Sequence, residues 1–180
     1  LMAAAFSARP SVIVPYVTRP NEPVPDRVAL GLAPAAEAAR GLYRLRRAAA
    51  TPDATLVLQG SEVTYAFVQE TLPLLFSAGI DLEVFLVTSA ELFDRLEASE
   101  RDRVFPESAA HKAMGITGFT LPTMYRWIRS DRGRAHTLHP FRKGHYLGSG
   151  TGAMVVHEAG LDGEGQRAGI RQYLDALSRR

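Results

Sequence analysis

Ala54-Thr-Leu-Val-Leu-Gln-Gly-Ser-Glu-Val63 is the stretch on which the fold turns. Thr55-Leu-Val-Leu58 reads as a short apolar strand, and Gln59-Gly60-Ser61 as the turn that ends it. Ser61 suits a helix N-cap, and Glu62 then lies in the first turn, where a carboxylate complements the helix dipole. Val63, Phe67, Leu74 and Leu75, with Tyr65 and Phe76 nearby, give that helix an apolar face down to Ala78. Gly79 stops it, and Pro73 is expected to kink or restart it. Leu82-Glu-Val-Phe-Leu-Val87 is the next strand, after which Thr88 or Ser89 caps a short helix running to Leu96.

Strand, glycine turn, capped helix, glycine and strand make a βαβ unit, whose parallel strands need a right-handed crossover. Further on, Lys112-Ala-Met-Gly-Ile116 reads as a third strand, and Thr120 to Ile128 as a helix with Pro122 in its first turn. A last helix, about Gly165 to Leu177, carries Ile170, Tyr173, Leu174 and Leu177 at helical spacing. The fold class is therefore α/β: a three-layer, mostly parallel open sheet with helices on both faces.

Upstream, Ser11-Val-Ile-Val-Pro-Tyr-Val17 is a β-branched run typical of a buried strand, and a lone strand needs a sheet to join. Three prolines between Thr18 and Pro25 make the next segment irregular. Residues 1–25 thus read as the tail of a preceding domain, 26–53 as a linker and 54–180 as the α/β domain, so the chain reads as a fragment. Ala33 to Ala50 has helical propensity, but Gly41 interrupts it and Tyr43-Arg-Leu45 alternates like a short strand.

The chain has 180 residues, 46% of them hydrophobic and 22% charged, enough to bury a core without staples. It has no cysteine, which excludes a disulfide scaffold, a thiolate nucleophile, an iron–sulfur cluster and a cysteine zinc site. The net charge of +2 is small for a nucleic-acid binder, and 19 of the 21 basic residues are Arg. No apolar run approaches the roughly 18 to 20 residues of a membrane span, and the N-terminus lacks the pattern of a signal peptide. These features read as a cytoplasmic protein that binds neither nucleic acid nor membrane.

Chemistry-bearing residues are few. Arg19 follows a predicted strand, where ligands bind in α/β folds, and its guanidinium suits phosphate or carboxylate; it also fits a surface loop. Gly60-Ser61-Glu62 is either an anion-binding turn or an ordinary helix cap, and Glu62 disfavours an anion. Between Arg126 and His145 six basic residues, including Arg132 and Arg134, face one acid, Asp131, and three histidines, His136, His139 and His145, fall there too. The stretch suits anion contacts, an interface or a solvated loop, while its loop-like spacing argues against a metal site. Segment 81–107, with eight acids against three arginines, would complement it across a subunit boundary. Trp127, with Tyr125 and Phe141, favours an interface over bare solvent. Gly148-Ser-Gly-Thr-Gly152, ahead of a helix from Ala153 to Glu158, is a phosphate cradle or a plain loop.

The order of these segments resembles that of the transketolases. Thr18-Arg19-Pro20-Asn21-Glu22-Pro23 is similar to their Ser-Arg-Gln-Asn-Leu-Pro segment, which closes the pyrimidine-binding domain. Gly41-Leu-Tyr-Arg-Leu45 resembles their Gly-Gly-Tyr-Val-Leu linker strand, which favours strand over helix there. Ala54 to Val63 resembles Ile-Leu-Val-Ala-Thr-Gly-Ser-Glu-Val, and Ser89-Ala-Glu-Leu-Phe-Asp94 their Ser-Trp-Glu-Leu-Phe-Asp. The match covers roughly residues 9 to 96. Beyond it, the usual Val-Glu-Ala strand before a Trp-Gly segment is not visible, and 126–145 has no counterpart.

The resemblance implies the C-terminal domain of a thiamine diphosphate-dependent enzyme that moves two-carbon ketol units between sugar phosphates. It implies that Arg19 holds the substrate phosphate, and that thiamine diphosphate and magnesium are bound mainly outside this chain, by a Gly-Asp-Gly…Asn motif in a missing domain. The catalytic Glu that activates the cofactor is missing too. On this reading the chain is inactive alone, stabilises a homo- or hetero-oligomer and completes the rim of the substrate site. The same fold would also suit the C-terminal domain of a 2-oxo acid dehydrogenase E1-type component, or a non-catalytic binding or assembly module.

Overall fold

The computed structural model describes residues 1–16 and 22–179. Three parallel strands make up most of a four-stranded sheet: β2 (Ala54–Gln59), β3 (Leu82–Val87) and β4 (Ala113–Thr117). The strand β1 (Leu42–Arg46) lies antiparallel on β3, giving the order β1-β3-β2-β4. β1 settles the ambiguity of residues 33–50: the segment is a short 3₁₀ turn, Ala35–Arg40, followed by a strand.

The register sorts side chains between two layers. Leu56 of β2 lies opposite Val84 of β3 and Met114 of β4, and all three belong to one buried cluster. Val57 lies opposite Phe85, and both belong to the other. Because side chains alternate along a strand, a run such as Leu56-Val-Leu58 feeds both faces and must be covered on both.

Two long helical stretches cover the first face. α2 (Ser61–Ala66) passes through a π-helical turn, Phe67–Thr71, into α3 (Leu72–Ser77), and Val63, Phe67 and Leu75 point into the cluster. The helix begins at Ser61 with Gly60 in the cap position at φ +110, so Ser61 is its first residue and not its cap. Gly79 terminates it in the left-handed conformation, at φ +71. Pro73 lies in the first turn of α3, two residues past the π turn, where the backbone ladder is already widened, so its missing N–H is tolerated.

The second face is covered by shorter pieces. α4 (Ala90–Asp94) is capped by Ser89, whose hydroxyl accepts from the Leu92 N–H at 3.2 Å. It is followed by α5 (Ala98–Val104) and α6 (Glu107–Lys112). The helix expected over Thr120–Ile128 is only a 3₁₀ turn, Leu121–Met124. The Trp127 and Ile128 N–H groups both donate to the Met124 carbonyl, and Arg129 then turns away to bond Ala110, which ends the helical path. α7 (Asp131–His136) packs its Gly133 on β4, where a Cβ would sit 2.0 Å from the Ala113 carbonyl oxygen. The backbone of Leu138 then bridges the outer edge of β4.

Two helices complete the chain, α8 (Gly152–Ala159) and α9 (Gly163–Ser178). Gln166, fully buried, ties α9 to the π turn. Its amide donates to the carbonyls of Val63 at 2.9 Å and Leu161 at 2.8 Å, and its oxygen accepts from the Thr71 hydroxyl.

The strand expected at 11–17 is absent from the described part, residues 11–16. Val12, Val14 and Tyr16 are 73%, 65% and 80% exposed, and a short helix, α1 (Met2–Ser7), precedes them. The reason is the sheet: Leu138 bridges the free edge of β4, and Ala33 bonds the Leu45 carbonyl beside β1. A β-branched run without an edge to join stays extended and solvated.

Candidate functional site

Neighbouring parallel strands β2 and β3 send the chain to opposite faces, β2 into α2 on the first and β3 into α4 on the second. This divergence opens a crevice of about 470 Å³ beyond their carboxyl ends. Open α/β sheets bind ligands at such a switch point. Gln59, Gly60 and Ser61 line one side and Thr88, Ser89 and Glu91 the other. The Gln59 amide oxygen accepts from the hydroxyls of Thr117 at 3.0 Å and Thr123 at 2.8 Å. Sequence reasoning missed Gln59, because its threonine partners lie about sixty positions downstream; its place at the end of β2 was the only signal.

Arg19 lies outside the described residues. Tyr16 and Pro25, the lining residues nearest it on either side, both belong to the crevice wall, and the Tyr16 ring meets Phe119 edge to face at 6.4 Å. Glu62 and Glu91 place carboxylates in the first turns of the two helices that begin there, which disfavours an anion at those turns.

The basic stretch divides in two. Its first half is folded onto the body. Arg126 forms a two-pronged ion pair with Asp94 and lies 4.3 Å from the centre of the Trp127 ring. That hydrogen bond holds the Asp94 carboxyl below the usual carboxylate value, against the opposing effect of burial. Arg134 donates to the Ile128 carbonyl at 2.9 Å and covers the Tyr125 ring. Burial raises the phenol of Tyr173 on α9, and the charge of nearby Arg132 partly offsets this.

The second half is exposed from Phe141 to His145. His139 is half-buried, and burial followed by the charge of Arg142 holds its imidazole below the ordinary value, so the ring is neutral at pH 7. His145 is exposed, its Nδ1 2.9 Å from the Tyr146 carbonyl. The Gly148 N–H, the first donor of the glycine-rich loop, is taken by the Glu158 carboxylate at 3.0 Å. The stretch therefore does not gather into one site. Its acidic complement in 81–107 is in large part used within the chain, where Asp81, Glu83, Asp94 and Glu100 pair with Arg46, Arg44, Arg126 and Arg40.

Among the described residues no group of three or more His, Asp or Glu is placed to hold a metal ion. No helix of the described residues is long and apolar enough to cross a membrane.

No curated protein matches the chain. Among solved structures it is similar to a transketolase from Pichia stipitis in complex with sedoheptulose-7-phosphate, at 17% identity and TM-score 0.60, covering 82% of this chain and 20% of that one. A transketolase from Leishmania mexicana gives 17% identity and TM-score 0.56, over 78% of this chain and 19% of that one. That from Campylobacter jejuni gives 17% and 0.55, over 74% and 18%. The chain thus spans about a fifth of the length of these relatives, and the likeness is one of fold. The model of the transketolase-like TK C-terminal domain matches residues 41–162, from the glycine before β1 to the cap of α9, and the chain belongs to that family.

Proposed function

We propose that the chain is the C-terminal part of a thiamine diphosphate-dependent transketolase, which moves two-carbon ketol units between sugar phosphates. The family match over residues 41–162 carries this reading. One relative of the same fold is a transketolase complexed with a sugar phosphate. Since the chain spans about a fifth of such relatives, the remaining domains and the cofactor site belong to other segments or subunits. On this reading thiamine diphosphate and its magnesium are held mainly by segments outside this chain. The cofactor would supply the carbanion chemistry. This chain's part is to stabilise the oligomer, taken as a dimer in the cytoplasm, and to complete the substrate rim.

Residues 1–25 would be the tail of the preceding domain, and their exposed Val12, Val14 and Tyr16 suit a strand that belongs to another sheet. Arg19 is assigned to the substrate phosphate. Arg132, His139 and His145 remain the members of the basic stretch assigned to an anion or a second subunit, whereas Arg126 and Arg134 are already engaged within the chain.

The test is reassembly of the chain with its missing domains and assay with a pentose phosphate donor. Ketol transfer by the assembly and none by the chain alone is the expected result. Arg19→Ala should raise KM for the sugar phosphate about tenfold or more, the usual worth of a charge-assisted phosphate contact. Turnover of a 2-oxo acid in place of the sugar phosphate would move the chain to the dehydrogenase class. An unchanged KM would remove Arg19 from the site.

A further inference from the structure

A second crevice, of about 440 Å³, lies against β1 and shares Leu32 and Leu45 with the wall of the switch-point crevice. It is bounded by residues 31–34, the 3₁₀ turn Ala35–Arg40, the strand itself and the end of α5. Four guanidinium groups line it, Arg40, Arg44, Arg47 and Arg103, against one carboxylate, Glu37. Like charges gathered on a concave surface repel one another unless anions compensate them.

Two of the four are compensated. Arg40 is held by Glu37 at 2.9 Å and by Glu100 at 2.8 Å. Arg44 is paired with Glu83, close to it but outside hydrogen-bonding geometry. Arg47 and Arg103 have no carboxylate within 4.0 Å among the described residues. Arg103 lies in the last turn of α5, where a cation complements the helix dipole, and makes only a long bond of 3.3 Å to the Ser99 carbonyl. Arg47 has no such structural employment; it follows β1 with its side chain exposed.

We infer that this crevice is a binding site for the phosphate dianion of a small metabolite, held between Arg47 and Arg103. Two uncompensated guanidiniums match the charge of one phosphate, and their forked donors suit its oxygens. Leu32, Ala33, Pro34 and Val104 supply an apolar wall that strengthens the charge interaction and flanks an organic substituent. The site stands on these residues alone and does not depend on the ketol-transfer reading.

The experiment is calorimetric titration of the 180-residue chain with inorganic phosphate and with glycerol 3-phosphate, at constant ionic strength. Saturable binding at one site per chain is expected, weakened about tenfold or more in Arg47→Gln/Arg103→Gln. Arg129→Gln/Arg171→Gln removes the same charge from exposed positions that line neither crevice and should leave affinity unchanged. Arg47→Lys, which keeps the charge but loses the fork, should fall between. Tighter binding of glycerol 3-phosphate identifies a phosphomonoester as the ligand, and equal binding identifies free phosphate. No saturable binding to the unmodified chain, or equal weakening in both double variants, overturns the inference.

Discussion

On the first face of the sheet, Leu56, Leu58, Val84 and Ile116 meet the Ser61–Ser77 helical stretch and the sixteen-residue α9. On the second, Val57 and Phe85 meet short helices of five to seven residues and a 3₁₀ turn. Helices this short are not stable by themselves, so the second face depends on what its side chains bury. It uses aromatic rings: Phe85 on Phe105 at 4.9 Å, Phe93 on Trp127 at 5.4 Å and Phe105 on Trp127 at 6.0 Å, all edge to face. The first face is mainly aliphatic, with Tyr43, Phe67 and Tyr173 buried singly within it, and has one buried polar joint at Gln166. A long helix spreads its burial over many residues; a short one concentrates it in a few large rings.

The sharpest test of this contrast is Trp127→Ala. It removes two ring contacts at the centre of the second cluster and should cost about 3–5 kcal/mol in urea unfolding. Its indole N–H has no partner in the protein among the described residues, so Trp127→Phe should cost far less. A loss below about 1 kcal/mol for the alanine variant would mean that the second face is not a packed core.

Gln166→Leu probes the first face. It leaves the Leu161 carbonyl without its side-chain donor, while the Val63 carbonyl keeps the Phe67 N–H, at a cost of about 1–3 kcal/mol. A neutral effect would show that α9 docks by its apolar residues alone, and the polar joint would then have no part in the comparison.

The smallest effect belongs to the surface clasp between two outer pieces of the second face, Arg126 and Asp94. Both side chains are about half exposed, so Arg126→Ala should cost under about 1 kcal/mol. The Asp94 carboxyl is lowered in the folded state, so its contribution is complete above its ordinary value of 3.8 and is lost as pH falls below it. Acid titration of stability should therefore be shallower in Asp94→Asn than in the unmodified chain. Parallel curves would leave the clasp without energetic weight.

The two faces also differ in how legible they were. The strand Leu82–Val87, the helix after Gly60 and the last helix were read close to their actual limits, because alternation, helical spacing and glycine stops are local signals. The piece after Thr120 was not, since its path is set by bonds from Arg129 to Ala110 and from Trp127 to Met124. The run at residues 11–16 has the composition of a buried strand yet stands in solvent, because burial needs an edge and composition does not reveal one. The candidate site was half legible: Gly60 and Ser61 sit in the switch-point crevice, whereas Gln59 was overlooked.

What the sequence by itself determined is the β2–α2–α3–β3 unit and its crossover, carried by residues within about forty positions of one another, and the family likeness, carried by short motifs between Thr18 and Asp94. Only the tertiary structure decided which charges meet. It joined Arg126 to Asp94 across 32 positions, spending part of the basic stretch that composition had marked for a partner. It also brought Arg40, Arg44, Arg47 and Arg103 to one crevice. Charge pairing depends on distance in space, and that distance is fixed only when the chain crosses the sheet.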